Sequence, residues 1–417
     1  MRIALSFWDG GDGHLARVAH LVTLLSRRGD RCLIISSSAK VARIRTLARE
    51  ADIVEVDNRP ESRPPVKRLP QYSHAFRHAQ RRLALGFGDE DFVVANASRL
   101  LEVLRAFRPH VVVNDYHDTL RIAAEAAGVP VVSLVMAHGL RSGPPLGAWK
   151  MHEVADRQLP ECLRSFNHGR AQWHLAPYVD ERETFEADLN LIPSCPELDP
   201  VQQRPNDVYV GPIMTPPTPS NRRPRRRPLV VSYLAEGNNR PASPYPRALA
   251  ALVRAERNLE FAVLGGARYA RYFPTGETFL GIVSAPRYLA LLDEADLVIT
   301  HGGTTLVHAL ERSVPVLCLP WTSSEAAWAV RAEEHGAGML YPAYRRPLEW
   351  RVDDAVHPSA PVAGHWSLPI SAQGLARCVW RILEEPGHRT AAADLAERLS
   401  TSRSRFDLVD LVRSAAH

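Results

Sequence analysis

The chain predicts a doubly wound α/β architecture built twice, as two Rossmann-like domains in succession. Three observations carry that reading. Apolar runs of strand length alternate with segments whose apolar residues recur at helical spacing, the pattern a parallel sheet with crossover helices requires. The alternation stops once, at a Pro-, Ser- and Arg-rich stretch, and then starts again. A chain of 417 residues is long for one core and comfortable for two.

The first half opens with the apolar run 2–7 and closes its first unit with the run 32–36. Between them a helical segment from His14 to Arg28 places Leu15, Val18, Leu21, Val22 and Leu25 on one face. Val111-Val112-Val113 and Val131-Val132-Ser133-Leu134-Val135 flank a second helix, from Thr119 to Ala127, which Gly128-Val129-Pro130 ends. The pattern stops near Val208-Tyr209-Val210-Gly211-Pro212 and restarts at Leu229-Val230-Val231-Ser232-Tyr233. It continues through Phe261-Ala262-Val263-Leu264, Leu297-Val298-Ile299 and Val316-Leu317-Cys318. A first domain over 1–212, a linker over 213–228 and a second domain over 229–386 follow. In such sheets ligands sit beyond the carboxyl ends of the strands, so two facing domains would form a cleft with a binding edge on each wall.

Composition excludes several classes. With 45% hydrophobic and 23% charged residues the chain is ordinary globular material, and no apolar run approaches the ~18 residues of a membrane span. Met1 to Phe7 is strand-like and breaks at once at Asp9-Gly10-Gly11, unlike a secretory signal, so a cytoplasmic location is expected. Cys32, Cys162, Cys195, Cys318 and Cys378 lie far apart without a CxxC pair, which suggests neither zinc nor a disulfide framework. Among 51 basic residues only Lys40, Lys67 and Lys150 are lysines, a bias expected of a high-GC coding sequence. The run Arg222-Arg223-Pro224-Arg225-Arg226-Arg227 reads as a solvated linker or as a contact for an acidic partner or membrane surface. No interleaved aromatics argue for nucleic acid. Oligomeric state is not legible, and a homodimer stays open.

The most informative stretch is Thr300-His301-Gly302-Gly303-Thr304-Thr305, placed directly after an apolar strand and opening a helix. A helix N-terminus leaves N–H groups unpaired and carries partial positive charge, while two glycines allow close approach of a ligand. His301 and the two threonine hydroxyls add donors, so a phosphate or diphosphate is the natural guest. In the first domain, Gly10-Gly11-Asp12-Gly13-His14 occupies the equivalent place after the first strand, and lacks the spacing of the dinucleotide fingerprint. His14 reads either as a general base, its ordinary pKa of about 6.5 lying near cellular pH, or as a capping or phosphate-contacting residue. Asp115, at the end of the strand 111–113, would orient such a base, or Asn114-Asp115 would be turn residues, with Asp118 a competitor.

Taken in order, these elements resemble a GT-B-fold glycosyltransferase of the UDP-glycosyltransferase and macrolide (natural-product) glycosyltransferase type. The resemblance covers almost the whole chain. It rests on Gly13-His14-Leu15-Ala16-Arg17, on the strand Arg108-Pro109-His110-Val111-Val112-Val113-Asn114-Asp115, on 208–212, and on Asp296-Leu297-Val298-Ile299-Thr300-His301-Gly302-Gly303 with Val314-Pro315 and Pro320 downstream. It implies that His14 is the catalytic base and Asp115 its orienting acid. It implies a donor-diphosphate loop of His301, Gly302, Gly303, Thr304 and Thr305, and nucleoside or sugar contacts at Ser284, Pro286, His308, Ser324 and Glu325. Gly13 and Asp118 fall on the acceptor side, and 387–417 resembles the helical segment that crosses back to the first domain.

The chain also departs from the pattern. The loop is one residue short, His308 stands where a glutamate is usual, Ser324-Glu325 replaces Asp-Gln, and Tyr344 to Trp366 looks inserted, as a surface loop or an acceptor or partner contact. The activity implied is inverting, metal-independent sugar transfer from a nucleoside-diphosphate sugar to a hydroxyl of a small molecule, in bacterial antibiotic biosynthesis. No cofactor is expected. A glycolipid acceptor, a nucleotide-sugar epimerase or a non-catalytic member are the alternatives. A pyridoxal-dependent phosphorylase fails because no lysine follows Lys150. Asp118, Glu153 and Asp156 would suit a cationic acceptor, or are surface charges.

Overall fold

The computed structural model describes residues 1–8, 12–56, 82, 86–144, 159–217, 225–234, 245–273, 278–320, 323–342, 350–352, 364–366 and 370–417. Among the described residues two compact units result: one of the residues up to 215 together with 402–417, the other of those within 216–401. Among the described residues no helix is long and apolar enough to cross a membrane.

The first unit is built from β1 (Arg2–Phe7), α1 (Asp12–Arg27), β2 (Arg31–Ser36), α2 (Ser38–Leu47), β3 (Asp52–Glu55), α3 (Glu90–Phe107), β4 (Val111–Asp115), α4 (Leu120–Ala126), β5 (Val131–Leu134), α5 (Leu159–Ala171), β6 (Leu189–Ile192) and β7 (Asp207–Tyr209). All seven strands are parallel, in the order β3-β2-β1-β4-β5-β6-β7. Strand periodicity of two sorts the core. Ile3, Leu5 and Phe7 pack with Leu15, Val18, Leu21, Val22 and Leu25 of α1 on one face, while Ala4, Leu33, Ile35 and Val112 pack with Leu100, Leu104 and Leu120 on the other. Because both faces are covered, the central strands are continuously apolar, which is why they were legible as runs. Asp89 caps α3 by accepting from the Phe92 N–H, and Arg108 ends that helix in the left-handed region, φ 52°.

The second unit follows the same plan with β8 (Leu229–Leu234), α6 (Tyr245–Ala255), β9 (Glu260–Gly265), β10 (Phe279–Gly281), α7 (Ala285–Glu294), β11 (Leu297–Thr300), α8 (Gly303–Leu310), β12 (Val316–Cys318), α9 (Ser323–Glu334) and β13 (Gly338–Leu340). Its six parallel strands run β10-β9-β8-β11-β12-β13. Of the suspected insertion, β14 (Trp350–Val352) and β15 (Gly364–Trp366) pair as an antiparallel ribbon, and its other residues lie outside those described, apart from the pieces just named.

Helices α10 (Ala372–Glu384), α11 (Gly387–Ser404) and α12 (Leu408–Ser414) complete the chain. The helix expected from Gly387 runs on to Ser404, and the segment 402–417 belongs to the first unit. There Val409 and Val412 enter the core beside α1, Arg403 donates to the Pro212 carbonyl at 2.8 Å, and Arg413 pairs with Asp30 at 2.9 Å.

The basic run is only partly what the sequence suggested. Arg222 and Arg223 lie outside the described residues, but Arg225 pairs with Glu260 at 2.6 Å and with Glu294, and Arg227 donates to the Arg257 carbonyl. Those arginines are spoken for by their own unit.

Candidate functional site

In each unit the candidate residues sit where the strand order reverses, the position at which open α/β sheets bind ligands. In the first unit that point lies between β1 and β4, whose carboxyl ends align with Phe7 beside Asp115. The Trp8 N–H extends the pairing by donating to the Asp115 carbonyl at 2.9 Å. The chain then enters α1, whose first turn carries Gly13 and His14. Gly10 and Gly11 lie outside the described residues.

His14 and Asp115, 101 residues apart in sequence, meet here: Nδ1 of His14 is 2.8 Å from Oδ1 of Asp115. The carboxylate is wholly buried and the imidazole about one-fifth exposed. Trp8 and Tyr116 meet the imidazole edge-on, with ring centroids 5.3 and 5.7 Å away. Tyr116 has φ 62°, a left-handed conformation uncommon for a bulky residue, and its hydroxyl accepts from the Met136 N–H at 2.8 Å. The turn reading applies to Asn114 and not to Asp115. The Asn114 side chain closes the turn by accepting from the His117 N–H at 2.8 Å and donating to the His117 carbonyl.

Sequence reasoning passed over Arg17. Three residues beyond His14 on α1, it lies on the same helix face. Its Nε donates to Asp115 Oδ2 at 3.0 Å and its Nη2 to Oδ1 at 2.8 Å, and the same Nη2 is 2.9 Å from His14 Nδ1. Burial alone would raise the Asp115 pKa, but the charges of Arg17 and then of His14, with their hydrogen bonds, hold the carboxyl below its usual value.

Asp118 takes a different place. It is nearly enclosed and pairs at 2.6 Å with the fully buried Arg82, whose guanidinium lies 4.2 Å from the Phe185 ring centroid and 4.8 Å from that of Phe166. That carboxylate is engaged inside the unit. Glu153 and Asp156 lie outside the described residues.

In the second unit the reversal falls between β8 and β11, which pair in register from Leu297 with Val230 to Ile299 with Ser232. His301 follows β11, and its ring lies 6.0 Å from that of Tyr233 on β8. Gly302 has φ 110° and ψ −145°, and a side chain there would stand 2.9 Å from the Glu325 carbonyl oxygen. Gly303, φ 59°, opens α8, so the N–H groups of Gly303, Thr304 and Thr305 form its first turn. The Gly302 N–H is turned inward and donates to the Thr300 hydroxyl at 3.1 Å. Glu325 comes within 3.6 Å of His301 Nε2.

Two of the expected contacts are tied to a residue not foreseen. Tyr288 on α7 hydrogen-bonds Thr305 and lies 3.3 Å from His308 Nδ1, while burial pushes its phenol well above the usual value. Thr305 is itself buried, whereas Thr304 is partly exposed. Ser284 is the N-cap of α7 and Pro286 lies in its first turn, both exposed. Ser324 falls in the first turn of α9, and its side chain is outside what is described. Among the described residues no group of three or more His, Cys, Asp or Glu side chains is arranged to hold a metal ion.

No family model matches the chain. A zeaxanthin glucosyltransferase from Pseudescherichia vulneris is 28% identical over 256 residues, which is 55% of this chain and 60% of that protein. Among solved structures, the spinosyn rhamnosyltransferase SpnG superposes with a TM-score of 0.68 at 16% identity, covering 100% of both chains, and has also been solved with spinosyn aglycone and with thymidine diphosphate. The glycosyltransferase VinC in complex with dTDP superposes at 0.64 with 18% identity, over 100% of this chain and 99% of that one. The calicheamicin glycosyltransferase CalG4 gives 0.64 at 17% identity, over 99% and 98%. The chain has the GT-B fold of these natural-product glycosyltransferases, and the resemblance read from its sequence holds for the fold and for that one stretch of related sequence.

Proposed function

We propose that the chain transfers a sugar from a nucleoside-diphosphate sugar to a hydroxyl of a small natural-product acceptor, with inversion at the anomeric carbon and without a metal. The observation that carries the reading is the 2.8 Å contact of His14 Nδ1 with the buried Asp115 carboxylate at the sheet's reversal point. With Nδ1–H given to Asp115, Nε2 is the nitrogen that takes the acceptor's proton. As the acceptor oxygen bonds to the anomeric carbon, the bond from that carbon to the diphosphate breaks and the leaving group gains negative charge. The first-turn amides of α8, with His301 and the Thr304 hydroxyl, supply positive ends for that charge. Attack and departure on opposite sides of the carbon give inversion. The relatives supply the class: related folds are named as bound to thymidine diphosphate and to an aglycone.

The reading predicts that a nucleoside diphosphate binds the native chain. A thermal-shift screen of UDP, TDP and GDP tests it, since a ligand at 100-fold excess over its Kd stabilises by about 2.7 kcal/mol. One nucleotide is expected to stand out and its sugar to be transferred, with inverted configuration, at a rate unchanged by EDTA. Silence toward all three nucleotides would contradict the reading; retention or EDTA inhibition would contradict its mechanism.

A further inference from the structure

The His14–Asp115 pair has a third member that the transfer reaction, as just described, does not use. Arg17 is nearly buried and its fork meets both oxygens of a carboxylate that has no exposure at all. Among the described residues, three groups with a charge or a titratable proton meet the imidazole: Asp115 and Tyr116 at the end of β4 and Arg17 on α1, with the Trp8 ring against its edge. The Tyr116 phenol is pushed well above its usual value, chiefly by burial, and stays neutral. Among the described residues, one carboxylate and one guanidinium stand at near-equal range from His14 Nδ1, 2.8 and 2.9 Å away.

We propose that Arg17 is a positioning residue for this dyad: its guanidinium fixes the Asp115 carboxylate through two donors and cancels its charge, so that His14 works as a neutral base with its proton on Nδ1. The inference rests on the transfer reading of the same site. Its logic is stoichiometric. Nδ1 can donate to Asp115 or accept from Arg17, not both. Accepting from Arg17 would put the proton on Nε2 and leave no base. The 2.8 Å contact of Nδ1 with a carboxylate held ionised is attractive only when Nδ1 carries the proton, and Arg17 Nε and Nη2 each donate to one oxygen of that carboxylate.

Arg17 then opposes protonation of the ring, while Asp115 favours it. An uncompensated carboxylate would keep the imidazole protonated, and useless as a base, to higher pH. The paired carboxylate orients the ring without that penalty. The acidic limb of the pH–rate profile consequently falls at lower pH than a lone His–Asp pair would give.

The test reads His14 directly, without turnover. Full-length protein carrying ring-labelled histidine is titrated by NMR, with the His14 signal identified by its loss in His14→Gln. Wild type is expected to show the Nδ1–H tautomer. Arg17→Gln should raise the His14 pKa by about 1–3 units, the usual effect of a charge at this range, and Asp115→Asn should lower it. The double variant Arg17→Gln/Asp115→Asn, which removes the charges together, should return close to wild type. That variant also covers the case in which Arg17→Gln alone fails to fold. Arg17→Lys should keep the His14 titration close to wild type, and the acidic limb of kcat/KM should move up in Arg17→Gln by the amount the NMR reads. A purely structural Arg17 would alter melting temperature and leave the His14 pKa and the limb unmoved in folded protein, which would overturn the proposal, as would an Nε2–H tautomer in wild type. If no sugar is transferred but the titrations shift as stated, the transfer reading has failed and the charge coupling stands; the reverse result removes only Arg17.

Discussion

Substituting Gly302 by alanine isolates the loop proposed to hold the donor diphosphate. At φ 110° and ψ −145° the residue occupies a region that only glycine enters without strain. A non-glycine residue there costs on the order of 1–3 kcal/mol. The new methyl would also stand 2.9 Å from the Glu325 carbonyl oxygen and 3.1 and 3.2 Å from its Cβ and Cα. Two of those three atoms are backbone, so relief requires α9 or the loop itself to shift. For a unit of this size each kcal/mol lowers Tm by about 2–4 °C. The second unit should therefore melt several degrees lower, and nucleoside-diphosphate affinity should fall because the first-turn amides of α8 have moved. Calorimetry of the apo protein and isothermal titration of the best nucleotide read the two effects. Gly387→Ala is the control, because a Cβ there meets nothing within 4 Å. A Gly302→Ala protein that melts and binds as wild type would refute the close-approach argument.

Two further predictions concern the first unit. His138 is buried, and burial lowers its pKa from 6.5 to about 4. The unfolded chain therefore takes up a proton before the native one does. Stability should be full above pH 6.5 and fall as pH drops toward 4, by about 1.4 kcal/mol per unit. Urea melts of wild type and His138→Gln across that window check this, and parallel curves would contradict it. Asp118→Asn removes one partner of a nearly enclosed pair with Arg82 and should destabilise by about 3–5 kcal/mol in the same melts. A change in acceptor KM with unchanged stability would return Asp118 to the acceptor side.

What the sequence revealed, and what it hid, follows from the range of the interactions. The central strands β1, β4, β8 and β11 were legible because sheets covered on both faces make their strands apolar throughout. Strands β3, at one margin of the first sheet, and β6 and β7, toward the other, are short and mixed in character, so no long apolar run marked them. The His14–Asp115 juxtaposition was deducible in principle, because a reversal of strand order brings two carboxyl ends together. Arg17 carried a local signal, helical spacing from His14, but only the position of Asp115 gives that spacing meaning. Tyr288 carried none: its tie to Thr305 and His308 depends on how α7 packs beside α8. The departures at His308 and Glu325 were visible as departures, and their consequences were not, since each is set by a neighbour distant in sequence. Ring contact with Tyr288 governs the first, and proximity to His301 the second.

The account turns on His14 acting as base toward an acceptor whose sugar donor is held elsewhere, by the loop 301–305. Single-turnover transfer by His14→Ala, with saturating donor and measured nucleotide affinity, tests this most directly. The account predicts a rate about 10²–10⁴ below wild type with nucleotide affinity unchanged. Transfer at the wild-type rate would contradict it.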